Sequence, residues 1–233
     1  MKTLFEFAEA LLELFFPKLC LACLIKNPLR NGLFCLRCQL ELPYTDQVDI
    51  LDNELEHRIY GRFKFERAAA LFRFKKGSKV QNLIHHLKYK NKAHIGVAFG
   101  KEFGKRILES SEFPVPDVII PIPLHRKKQK KRGYNQSYQF GKGIAEILQI
   151  PIYGSVIRKI SDNKSQTKMN RLARLENVMD SYSIKDDAKI KGKHVLLVDD
   201  IITTGATIEA AAQKLLKSQD LKLSLAIIGM AEI

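Results

Sequence analysis

Hydrophobic and polar positions alternate with different periods along the chain. Leu4, Ala8, Leu11, Leu12 and Phe15 fall on one side of a helix expected over residues 1–16, with Glu6, Glu9 and Glu13 between them. Residues 44–67 are polar and follow neither period. Residues 68–74 (AAALFRF) read as a strand, and Lys76-Gly77 as a turn. Two helices are expected next: Val80, Leu83, Ile84 and Leu87 recur at i, i+3, i+4 and i+7, and Phe99, Phe103 and Ile107 make a second stripe. From residue 115 strand and helix patterns alternate. A short apolar run at 117–122 ends in prolines, and a helix over 136–148 places Phe140, Ile144, Ile147 and Leu148 on one side. Residues 155–160 and 181–184 are modest strand candidates, 195–198 is a strong one, 208–217 is helical and 223–228 is a last strand. Continuous apolar runs separated by helices predict an α/β fold, a parallel sheet flanked by helices on both faces. Such a sheet binds ligands at the carboxyl ends of its strands. The expected division is an N-terminal module over 1–67 and a sheet domain over 68–233.

Composition narrows this picture. With 233 residues and 45% hydrophobic content, the chain can bury one sizeable core beside a small module. The net charge of +14 points to an anionic partner: a phosphorylated metabolite, nucleic acid or lipid headgroup, against the plainer reading of an indifferent basic surface. Acids inside the N-terminal apolar run argue against an export signal, and the run is too short and too charged for a membrane span. A cytoplasmic location is therefore expected, with the first helix packed on the rest of the protein; its acidic polar face disfavours a membrane-surface role. The oligomeric state is not legible.

Cys20, Cys23, Cys35 and Cys38 form a C-x2-C-x11-C-x2-C pattern that uses every cysteine in the chain. Two knuckles can bring four thiolates into the tetrahedron that zinc prefers. Disulfides are the alternative, disfavoured where thiols stay reduced. A four-sulfur shell is closed, so one ion here would be structural rather than catalytic. Asn31-Gly32 supplies a tight turn before the second knuckle.

The segment HVLLVDDIITTGAT, residues 194–207, joins the strongest strand to a helix. Asp199 and Asp200 are expected at the strand's carboxyl edge, where two carboxylates can accept hydrogen bonds from a vicinal diol. Thr203, Thr204, Gly205, Ala206 and Thr207 open the helix behind them. Free amides, the helix dipole and hydroxyl donors there favour an anion, and Gly205 permits close approach. A diol reader followed by a phosphate cradle describes a ribose 5-phosphate site. Helix capping accounts for one of these residues, not for the whole set. The glycine patterns of NTPase and dinucleotide sites are absent from the sequence.

VLLVDDIITTGAT resembles the phosphoribosyl pyrophosphate (PRPP) motif of type I phosphoribosyltransferases. With CLACLIKNPLRNGLFCLRC, LIHHLKYKNK, IIPIPLHRKKQKKRGYNQS and SQTKMNRLARLENV in this order, the chain resembles the ComF/GntX family. That family joins an N-terminal zinc ribbon to a phosphoribosyltransferase domain and includes competence proteins needed for DNA uptake. One departure is that residues 44–67 contain no second cysteine set. The resemblance implies Asp199 and Asp200 as the catalytic pair on the ribose hydroxyls, and Thr203, Thr204, Gly205, Ala206 and Thr207 around the 5-phosphate. It places pyrophosphate at Ile122, Pro123, Leu124 and His125. Lys164, Gln166, Lys168, Arg171 and Arg174, in the long basic stretch 162–180, would lie on a flexible loop closing over PRPP and Mg2+. Lys88 and Tyr89 match the family's LKY. The implied reaction transfers a phosphoribosyl group to an unidentified nitrogen acceptor with release of pyrophosphate. The rival is a competence factor that binds PRPP or single-stranded DNA without turnover. RKKQKKR, residues 126–132, has six basic residues of seven and reads as a solvated loop, a pyrophosphate contact or a DNA track beside Tyr134 and Tyr138.

Overall fold

The computed structural model describes residues 19–23, 25, 34–89, 92–160 and 181–232. The expected helix over 1–16, the Asn31-Gly32 turn and the basic stretch with Lys164, Gln166, Lys168, Arg171 and Arg174 lie outside the described residues. The apolar runs pair as β1 (Ala68–Phe74), β2 (Val118–Pro121), β5 (His194–Ile202) and β6 (Lys222–Ala231). These four form one parallel sheet in the order β1-β6-β5-β2.

Alternate residues of each strand enter opposite cores. Leu196 and Val198 of β5 face the side covered by α3 (Lys79–Tyr89), α4 (Ala93–Glu109) and α6 (Gln136–Leu148). Val195 and Leu197 face the side covered by α2 (Glu54–Ile59) and α7 (Ala206–Leu215). Phe72, Phe99, Phe103 and Phe140 fill the first core. There α4 and α6 meet backbone to backbone: a Cβ on Gly143 would lie 2.0 Å from the Val97 carbonyl oxygen, and one on Gly100 2.0 Å from that of Phe140.

Three expectations are revised. The candidates at 155–160 and 181–184 form β3 (Ile157–Lys159) and β4 (Tyr182–Ile184), but these pair antiparallel with each other outside the main sheet. Each buries only its first residue, which is too little apolar surface for a sheet covered on both faces. RKKQKKR is not a loop but a short helix, α5 (Arg126–Arg132), stopped by Gly133 in the left-handed region at φ 80°. The strand expected at 195–198 continues to Ile202, because Asp199 pairs with Ile227 and Ile201 with Gly229.

Residues 44–67 close the outer edge of β1. Asn53 and Glu56 form a capping box at the start of α2. Glu56 Oε1 accepts from Arg67 Nε at 2.8 Å and from the Ala68 amide at 3.0 Å. Gln47 Oε1 accepts from the Ala70 amide at 2.9 Å, and Asn53 Nδ2 donates to the Ala68 carbonyl at 2.9 Å. With the backbone bonds from the Thr45 amide to the Leu71 carbonyl and from the Arg73 amide to the Pro43 carbonyl, these side chains satisfy an edge strand in place of another full strand. Cys20, Cys38 and Leu42 join the same core as Phe72 and Phe99. Cys38 belongs to α1 (Leu36–Glu41). Among the described residues, no helix is long and apolar enough to cross a membrane.

Candidate functional site

β5 carries Asp199 and Asp200 near its carboxyl end, and their side chains point to different partners. Asp199 is buried, with 9% exposure. Its Oδ1 accepts from Ser137 Oγ and from the Asp200 amide, both at 2.8 Å. Burial, and then the neighbouring Asp200 charge, push its carboxyl up to about 7; the Ser137 hydroxyl, the Asp200 amide and Lys88 pull the other way. Asp200 Oδ2 meets Lys88 Nζ at 3.0 Å. Lys88 comes from the last turn of α3, so the apolar stripe of that helix, buried under the sheet, delivers its ammonium to the strand end.

Behind the acids the chain turns through Thr203 and Thr204 to Gly205, which sits at φ 83° and caps α7. Thr203 and Thr204 are exposed. Among the described residues, the Thr203, Thr204 and Gly205 amides donate to no backbone carbonyl. A loop with free donors at a helix N-terminus suits an anion. Arg62, which the sequence pattern did not single out, donates from Nη1 to the Thr204 carbonyl.

The loop after β2 lies next to the acids. The Ile122 amide donates to the Val198 carbonyl at 2.9 Å, and Asn135 Nδ2 donates to the Ile122 carbonyl at 2.9 Å. Pro123, Leu124 and His125 follow, half-buried, and His125 caps α5 by accepting from the Lys127 amide at 3.4 Å. An open hollow of about 370 Å³ next to Lys88 is lined by Tyr89, Lys130, Lys131, Arg132 and Gly133. The Arg132 guanidinium lies 5.4 Å from the Tyr89 ring centre. The structure therefore gathers the acids, the threonine turn and the 122–125 loop at one sheet edge.

The four cysteines form a separate cluster. Their sulfurs lie within 4.8 Å of one another, with Cys23 and Cys35 at 3.9 Å. A tetrahedral zinc with sulfur at about 2.3 Å spaces its ligands about 3.8 Å apart, so the set fits one ion. Burial, then the neighbouring sulfurs, push Cys38 up to about 12 as a free thiol. Burial also raises Cys20, but backbone amides of Cys23, Cys35 and Ala22 outweigh it and hold that thiol at about 6. A divalent cation is what would let all four ionise together.

Residues 135–231 match the phosphoribosyl transferase domain. The chain is 27% identical over 139 residues to the DNA utilization protein YhgH of Salmonella typhi, covering 58% of this chain and 60% of that protein. It is 29% identical to the competence protein ComFC of Bacillus subtilis strain 168, covering 59% of this chain and 54% of ComFC. The match thus spans less than two thirds of these relatives. Among solved structures, glutamine PRPP amidotransferase from B. subtilis is 20% identical at a TM-score of 0.41, covering 59% of this chain and 26% of that one. Three contributors to the site are not obvious from the phosphoribosyl transferase motif. Ser137 is hidden in the sequence NQS at the start of α6, Lys88 is visible only through LKY, and Arg62 has no local signal.

Proposed function

We propose that the chain binds PRPP at the carboxyl edge of its sheet and transfers the phosphoribosyl group to a nitrogen acceptor, releasing pyrophosphate. The observation that carries this reading is the adjacency of Asp199 and Asp200 to the Thr203-Thr204-Gly205 turn, which opens α7 with amides that donate to no backbone carbonyl among the described residues. In this reading the two carboxylates accept the 2- and 3-hydroxyls of the ribose. The 5-phosphate lies on the turn and the helix N-terminus. Pyrophosphate lies toward the loop of Ile122, Pro123, Leu124 and His125, with Lys88 and the basic hollow alongside. The C1–oxygen bond to pyrophosphate breaks as the C1–nitrogen bond forms. The acids stabilise positive charge building at the ribose, and the basic side chains stabilise the departing anion. Mg2+ chelated by PRPP neutralises part of the pyrophosphate charge. Lys164, Gln166, Lys168, Arg171 and Arg174 are assigned to the loop that closes over the ligand. A structural role for one zinc ion on Cys20, Cys23, Cys35 and Cys38 belongs to the same reading.

The relatives named for competence and DNA utilization support a role linked to DNA uptake. One observation favours a second reading, in which PRPP binding accompanies DNA handling without turnover. Lys127, Lys128, Lys130 and Lys131 of α5 are all exposed, and Lys130 and Lys131 line the hollow that Tyr89 also lines. Such a surface suits the backbone and bases of a single strand.

Calorimetric titration with PRPP and Mg2+ tests the site, with Asp199→Asn plus Asp200→Asn as control. Micromolar binding lost in the control is expected; unchanged affinity in the control would sink the assignment. Pyrophosphate release on addition of candidate acceptors then separates enzyme from binding factor. A steep fall of single-strand affinity with salt, without release, favours the second reading.

A further inference from the structure

We infer that Arg62 is a positioning residue for the phosphate loop: it fixes the Thr204–Gly205 peptide so that its N–H is presented to the bound anion. The inference rests on the PRPP reading above and adds to it a residue from outside the 135–231 match.

Four observations carry it. Arg62 Nη1 donates to the Thr204 carbonyl across 142 residues of sequence. In a trans peptide the carbonyl and the following N–H point in opposite directions, so holding the Thr204 oxygen on one side turns the Gly205 N–H to the other. That N–H donates to no backbone carbonyl among the described residues, which leaves it for a ligand. Gly205 also makes room for the guanidinium: a Cβ there would lie 3.1 Å from Arg62 Nη1, at a φ of 83° that side chains rarely adopt. Finally, Arg62 is itself held, because its carbonyl accepts from Gln213 Nε2 of α7 at 3.3 Å.

An ordinary surface ion pair does not account for this arrangement. Arg62 and Glu209 Oε2 are 3.7 Å apart, and the Arg62 side chain is 36% exposed, so the pair contributes little by itself. Its sign matters more. Glu209 is the acid in the first turn of α7, where its charge opposes an incoming phosphate. Arg62 offsets that charge and orders the loop with the same side chain. A charged donor on a carbonyl supports an effect of about tenfold or more on affinity.

The test compares ribose 5-phosphate, pyrophosphate with Mg2+, and PRPP with Mg2+ as titrants of the full chain. Arg62→Met should weaken ribose 5-phosphate and PRPP by about tenfold or more and leave pyrophosphate unchanged. Arg62→Lys, which keeps a charged donor, should recover part of the loss. The Gly205 amide resonance should shift in Arg62→Met before any ligand is added, and circular dichroism checks that each variant is folded. Equal losses for all three titrants would mean a general structural role and would overturn the inference, as would unchanged ribose 5-phosphate affinity. If Arg62→Met does not fold, the Lys variant decides: selective weakening of the two 5-phosphate ligands supports the inference, and none overturns it. Failure of the wild type to bind either 5-phosphate ligand would overturn the PRPP reading together with this one.

Discussion

Asp199→Asn separates the cost of the buried carboxylate from its use. In the folded protein burial and the Asp200 charge raise the Asp199 carboxyl from 3.8 to about 7. The folded state therefore holds this proton more tightly than the unfolded chain. Its contribution to stability is fully present below about pH 4 and is lost as pH rises to about 7. At about 1.4 kcal/mol per pH unit, the part of this loss falling between pH 5 and pH 8 is about 2–3 kcal/mol. Asparagine keeps an oxygen for the Ser137 hydroxyl but has no charge to desolvate. Urea unfolding at a series of pH values should show the wild type losing that amount relative to Asp199→Asn as pH rises. Other titrating groups, such as the half-buried His194, are common to both proteins and cancel in the difference. Ribose 5-phosphate affinity should move the opposite way, rising with pH more steeply in the wild type, where the carboxylate ionises and accepts a hydroxyl, than in the variant, where only the phosphate's own second ionisation contributes. Parallel stability curves for the two proteins would refute the reasoning, since they would mean that Asp199 pays no desolvation penalty.

Metal analysis should find one zinc per chain, and chelation should lower the melting temperature, because Cys20 and Cys38 sit in the core with Phe72 and Phe99. Lys88→Met should weaken pyrophosphate binding by about tenfold, measured by calorimetry, as one charged partner of the anion is removed. Arg67→Met should cost about 3–5 kcal/mol in urea unfolding, because it leaves Glu56 buried without its cation.

What the sequence makes legible is what lies close along the chain. The helix at Gln136–Leu148 and the strand at Ala68–Phe74 have the expected ends, because an apolar stripe between two caps defines the first and a continuous apolar run defines the second. The run from Asp199 to Thr207 reads as a unit because strand, acids, turn and helix are contiguous. α5 was less legible because it has no apolar face: six like charges read as a loop, and the helix rests on a cap at each end. Residues 44–67 were opaque for a related reason. They attach to β1 through side-chain and backbone hydrogen bonds, and their buried apolar residues, such as Val48, Leu55 and Ile59, are too few and scattered to set up a hydrophobic period. Ser137 and Asp199 are 62 residues apart, and Arg62 and Thr204 are 142 apart, so neither pair can be found without the sheet order.

The sheet order also explains why the matched domain is only part of the site. Residues 135–231 contain β5, β6, both acids and the threonine turn. They do not contain β1 or β2, the strands that flank β6 and β5 in the parallel sheet. The 122–125 loop exists where it does because β2 pairs with β5 over Val118–Pro121, bringing Ile122 to the Val198 carbonyl. Lys88 reaches Asp200 because Val80, Leu83, Ile84 and Leu87 bury α3 against the same face as Leu196 and Val198. Arg62 reaches Thr204 because Leu55 and Ile59 of α2 are buried in the core that holds Ile208 and Ala211 of α7. Each cation or loop beside the acids is thus delivered by hydrophobic packing of an earlier segment. The motif supplies groups suited to a diol and a phosphate, and the segments before residue 135 supply positive charge and set its distance from them.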